Sequence, residues 1–284
     1  MSPDPPFFRT TLTDHVATIT FDRADERNAF TRAMALDLTA LIDRADRDDD
    51  VRAIILTGEG RTFCVGADLS GTGTSFTDKD EPRSDGFRDF GGFITLRLFD
   101  CHKPVIVAFN GPAAGMGVTM ALAADYRIAS TTAKFALPFV RRGIAPESCS
   151  SWFLPRLVGL PQALDWMLTG RTFGTEEALA GGLVQSLHAP EALAEAARHI
   201  AREITVQGAP VSVALTRRMI WRMAGAAHPI EAHRLESRAL AARLGTADVR
   251  EGMASFLEKR PPRFEGRVPA DLPDDYPWWP STDF

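Results

Sequence analysis

The residues from Gly111 to Asp125, GPAAGMGVTMALAAD, constrain this chain more than any others. The apolar run Val105 to Phe109 before them reads as a short buried strand, and Asn110-Gly111 turns the chain. Gly115 and Gly117 then open a helix of small residues, predicted to run to about Ala124. Glycine between a strand and a helix allows close backbone approach, and the first helical N–H groups lack an intrahelical acceptor. Such donors suit an anion, whether resident or formed during a reaction. A plain junction packed with small side chains would leave the same trace, so the stretch alone does not decide.

The rest of the chain is read around this unit. Phe7–Thr13 and Val16–Phe21 flank Asp14-His15 as a predicted hairpin. Thr31 is the expected N-cap of a helix carrying Met34, Leu38, Leu41 and Ile42 on one face. The acidic run Asp46–Asp50 reads as a solvated connection, and Ala53–Thr57 as a strand. Ser70 to Gly92 is rich in Gly, Ser, Thr and charge, and a stretch of that length in a compact chain is expected to be functional, mobile or both. Tyr126–Ala129 is a further short strand. Strands separated in this way predict ββα or βα units stacked around one core rather than one open sheet. From about Ser150 onward, helices are expected at 152–158, 161–168, 175–180, 191–206, 210–224, 230–245 and 248–258. The later ones carry apolar residues suited to packing on another subunit or on their own core. The Tyr276–Pro280 tail could anchor against such a surface.

Composition removes several function classes. The chain has 284 residues, 24% of them charged, and a net charge of −5, which argues against the basic face that nucleic acid requires. Three cysteines at unrelated spacings suggest neither disulfides nor zinc, and the six histidines show no ligand spacing. No apolar run reaches the roughly 18 residues of a membrane span, and the N-terminus lacks signal-peptide regions, so a cytoplasmic protein is expected. Gly115-x-Gly117-x-x-Met120 lacks the third glycine of a dinucleotide fingerprint, and no phosphate-binding loop or nucleophile elbow occurs.

Seven segments in order give the central stretch its meaning. Phe63-Cys-Val-Gly-Ala-Asp-Leu69, Lys103–Gly111, the glycine turn and Ala123–Ala129 resemble the enoyl-CoA hydratase/isomerase (crotonase) superfamily. Asp22–Phe30, Leu168–Val184 and Glu251–Arg260 continue the likeness, which spans about residues 7–265. The resemblance implies an α/β fold: a spiral ββα core over 1–195 carrying the CoA and oxyanion site, and a helical oligomerisation region over 196–284. It implies a homotrimer or dimer of trimers and a coenzyme A thioester substrate, with no permanently bound cofactor and no metal. Matching the motifs puts two backbone donors for the thioester oxygen at Ala67 and Met116. One such donor can contribute roughly 3 kcal/mol to stabilising an enolate. Ala29, Val65, Ala67, Asp68 and Leu69 match CoA-contact positions, as do Phe256 and Lys259 from a neighbouring subunit.

The acid–base groups depart from the hydratase pattern. Hydratases of the family add water with two glutamates; those positions are Thr119 and Phe139 here, and neither side chain can serve as a proton carrier near neutral pH. One carboxylate returns at Glu147, in Pro146-Glu-Ser-Cys-Ser-Ser151, where the resemblance is to single-acid Δ3,Δ2-enoyl-CoA isomerases. A single carboxylate suffices for a proton shift from C2 to C4. Glu147 could also cap or turn the helix that follows, a role compatible with catalysis. A hydratase with an atypical site and a non-catalytic acyl-CoA-binding relative are the other readings.

Overall fold

Val105–Phe109 (β4) is buried at every position, as a strand covered on both faces must be. Its neighbours are β1 (Phe8–Thr13), β2 (Val16–Phe21), β3 (Ala53–Gly58), β6 (Tyr126–Ser130) and β9 (Ser186–His188). Together they form one sheet in the order β1-β2-β3-β4-β6-β9. Only the edge hairpin β1–β2 is antiparallel. The computed structural model describes residues 3–69 and 88–280, so most of the predicted functional segment from Ser70 to Gly92 lies outside the described residues.

Strand alternation sorts the apolar runs into two cores. Ile54, Leu56, Val105, Val107 and Phe109 face the main core. Ala53, Ile55, Ile106, Ala108 and Ile128 face the other way, onto Leu193, Ala197 and Ala201 of α7 (Leu193–Gln207). Through the main core runs a chain of edge-on and tilted aromatic contacts, Phe8–Phe21–Phe63–Phe109–Phe135. It ends on Phe173 stacked against the fully buried Trp166, with ring centroids 4.1 Å apart. Each such ring contributes about 0.5–1.5 kcal/mol beyond its area burial.

A second, small sheet holds β5 (Ala113–Ala114), β7 (Lys134–Ala136) and β8 (Thr172–Gly174). A bridge from Cys64 to Ala113 extends this pairing back to the segment after β3. Each turn of chain thus gives a long strand to one sheet and a short one to the other before entering a helix, which is the spiral expected from the sequence. Stacked units were expected instead of one open sheet; the structure has both, because stacking brings the long strands side by side into a continuous parallel run.

The predicted helices from Ser150 onward are present as α4 (Ser150–Val158), α5 (Leu160–Thr169), α6 (Thr175–Ala180), α7, α8 (Pro210–Met223), α9 (Ile230–Arg243) and α10 (Ala247–Glu258). Thr31 caps α1 (Arg32–Arg47) by accepting from the Met34 N–H. The helix predicted to reach Ala124 is split into α3 (Met116–Thr119) and a 3-10 turn, Met120–Ala123. Helix α2 (Phe90–Asp100) gives no clear sequence signal, since Gly91 and Gly92 occupy its first turn.

One reading is corrected. The run from Asp46 is not wholly solvated: Asp46 is 3% exposed and accepts from Arg97, from the His102 and Lys103 N–H groups, and bonds the His102 ring. Those partners hold its carboxyl far below the usual carboxylate range despite burial. His102 is part of that cluster through its N–H and its ring. The tail anchors on its own chain: the Tyr276 hydroxyl accepts from Arg218 of α8, and the Trp279 ring lies under Arg218 and Arg222. Among the described residues, no helix is long and apolar enough to cross a membrane.

Candidate active site

Two strand-to-helix turns meet because their glycines permit it. A Cβ on Gly66, whose φ is +98°, would lie 2.8 Å from the Ala114 carbonyl oxygen, and one on Gly117 would lie 2.1 Å from that of Cys64. The Ala114 N–H donates to the Cys64 carbonyl at 3.0 Å, closing the junction. Ala67, after Gly66, and Met116, between Gly115 and Gly117, both line a cavity of about 580 Å³. Neither N–H donates a hydrogen bond to another described residue; at Met116 this follows from its place at the first position of α3.

Glu147 faces the same cavity from the loop before α4. Its Oε1 accepts from the Thr119 hydroxyl at 2.6 Å and its Oε2 from the Ser148 hydroxyl. Thr119 therefore holds the Glu147 carboxylate. Phe139 is an apolar part of the cavity lining. The residue opens onto the cavity, yet its carboxyl is enclosed by neighbouring groups. Burial is the largest effect on it and the facing Asp89 carboxylate adds to that; the two hydroxyl donors oppose both, and the result is a pKa pushed up to about 7.

The local backbone fixes this geometry at a cost. Ser148 and Cys149 both have positive φ, 57° and 54°. Non-glycine residues there cost on the order of 1–2 kcal/mol each. The strained turn is tied by the Ser148 N–H to Asp89 Oδ1 at 2.9 Å and by the Ser150 N–H and hydroxyl to the Glu147 carbonyl. Cys149 is the N-cap of α4, with no side-chain cap bond. Glu147 thus shapes the turn through its main chain, while its side chain does not cap the helix.

The other predicted positions divide. Val65 and Leu69 line the cavity, whereas Ala29 is buried beside it in sequence only. Asp68 pairs with Arg23 at 2.8 Å, and the same guanidinium donates to the Ala29 carbonyl, so one side chain joins two of the predicted CoA-contact residues. Phe256 and Lys259, on and just after α10, do not line the cavity of the single chain. Sequence reasoning missed Asn28, Asp89 and Gly91. Asn28 is fully buried in a left-handed conformation and donates to the Glu59 and Thr62 carbonyls, fixing the start of the Phe63–Leu69 loop. The Arg27-Asn28 pair was within the quoted N-terminal segment, but only its pairing across the fold marks it. No group of three metal-ligating side chains occurs among the described residues.

With this geometry in hand, the chain can be set beside known proteins. Residues 11–267 match the family model described as enoyl-CoA hydratase/isomerase. Enoyl-CoA hydratase AFT3-1 of Alternaria alternata is 42% identical over 253 residues, covering 89% of this chain and 83% of the relative. The 1,2-epoxyphenylacetyl-CoA isomerase of Escherichia coli is 33% identical, covering 89% of this chain and 95% of the relative. The crystal structure of a probable enoyl-CoA hydratase/isomerase from Mycobacterium abscessus superposes with a TM-score of 0.85 at 35% identity, covering 91% of this chain and 98% of that one.

Proposed function

Because the chain belongs to the enoyl-CoA hydratase/isomerase family, we propose that it moves a double bond in an acyl-CoA thioester from Δ3 to Δ2. Glu147 in its ionised form takes a proton from C2, and the C–H electron pair becomes the C1=C2 bond of a dienolate. The thioester oxygen carries the charge and accepts from the Ala67 and Met116 N–H groups. The proton on Glu147 then goes to C4; the C3=C4 electrons form the new C4–H bond and the enolate electrons return to make C2=C3. Atoms balance without water or any added reagent.

The observation that carries this reading is the Glu147 carboxyl on the wall of an apolar cavity that Ala67 and Met116 also line, with burial pushing its pKa up to about 7. A pKa near the working pH suits a group that must both take and return a proton. Hydration is the second reading, favoured by the names of relatives such as AFT3-1 and by a second carboxylate, Asp89, in the cavity lining.

The test is wild type and Glu147→Gln with 3-enoyl-CoA and, separately, 2-enoyl-CoA, followed by mass spectrometry. The expected result is bond migration without gain of water, and a loss of at least 10³-fold in the variant. Formation of 3-hydroxyacyl-CoA would replace isomerisation with hydration. Tight binding of the thioesters with no turnover by the wild type would leave only a binding protein.

A further inference from the structure

Asp89 precedes α2 and lines the same cavity as Glu147. Its Oδ1 accepts from the Gly92 N–H at 2.7 Å, capping the helix, and from the Ser148 N–H at 2.9 Å. One carboxylate thus joins the first turn of α2 to the residue beside Glu147. Both carboxyls line one cavity, and the Asp89 charge is among the causes that raise the Glu147 pKa. Gly91 is what allows this approach: a Cβ there would meet Glu147 Oε2 at 2.1 Å and the Ser148 hydroxyl at 2.0 Å. A cap alone requires neither a bare glycine two residues on nor a second bond to the Ser148 N–H.

We propose that Asp89 is the positioning residue of Glu147: its carboxylate ties the turn that carries Glu147 to the first turn of α2, and its like charge on the same cavity wall sets how strongly Glu147 holds a proton. With both groups ionised, like charges in an apolar cavity make Glu147 a stronger base. The inference rests on Glu147 as the proton carrier.

The other groups around Glu147 do not supply this pairing. Thr119 and Ser148 offer hydroxyls, which favour the ionised form. The Cys64 thiol is pushed up to about 12 by burial, and the Cys149 thiol is also raised, so neither titrates near neutrality. Arg32, Arg88 and Arg142 also line the cavity. Asp89 is therefore the other carboxyl among these groups.

The experiment is the pH profile of kcat/KM for wild type and Asp89→Asn, with Glu147→Gln alongside. Asparagine keeps an oxygen for the Gly92 and Ser148 N–H groups and presents an amide donor to Glu147. The acid limb of the profile is expected to move down by at least one pH unit, with reduced activity at pH 8. An unmoved limb in an active Asp89→Asn protein, with Glu147→Gln dead, overturns the pairing and leaves the base assignment standing. If Asp89→Asn is inactive, or if Glu147→Gln retains turnover and so refutes the base itself, the pH dependence of unfolding decides. A smaller loss of stability between pH 5 and pH 8 in Asp89→Asn than in wild type supports the pair, and an identical loss overturns it.

Discussion

Replacing Glu147 by glutamine should alter the stability of this protein in a pH-dependent direction. The carboxyl has a pKa of about 7 in the folded chain, against an ordinary value of 4.5. A raised carboxyl pKa means that the folded state binds more protons than the unfolded state between those values, so stability falls as pH rises through that window. The stabilising neutral form is fully present below 4.5, and its contribution is lost by the time pH passes the folded value. Integrating the linkage from pH 5 to pH 8 gives a loss of about 2.5 kcal/mol from this one group. Glutamine stays neutral and escapes that loss, while its carbonyl can still accept from Thr119. Urea unfolding of both proteins at pH 5 and pH 8 measures the difference. The variant should gain about 2.5 kcal/mol on wild type between the two pH values. An equal stability difference at both would refute the claim that Glu147 is buried against its own charge.

Gly117→Ala should separate the two turns that carry Ala67 and Met116, because the new Cβ would lie 2.1 Å from the Cys64 carbonyl oxygen, a backbone atom. A protein with wild-type circular dichroism and about 10²-fold lower kcat/KM is expected; activity within threefold of wild type would sink the account. The face of α10 predicts assembly: Phe256 is 81% exposed and Leu257 78%, beside an exposed Met253. Light scattering should read three chains or a multiple of three, and Phe256→Asp should yield smaller species with a raised KM for acyl-CoA; a wild-type monomer at micromolar concentration would overturn this.

Much of the framework was legible because it depends on periodicity and glycine. The two-faced burial of β4 follows from five successive apolar residues, and the junction at Gly115 and Gly117 from residues that no larger side chain could replace. Glu147 was visible as the carboxylate left after Thr119 and Phe139 had removed the other two. Its setting was not. Neither Asp46 as a buried centre of charge nor the return of the Trp-rich tail to α8 can be read locally, since each depends on partners more than 50 residues away. Sequence by itself determined the spiral architecture and the two glycine turns, and it pointed to Glu147. Only the tertiary structure decided that Thr119 would hold that acid, that Asp89 would face it, and that Gly91 would give both room. Those are distances between segments far apart in the chain, and they fix how strongly a carboxyl feels burial, donors and like charge.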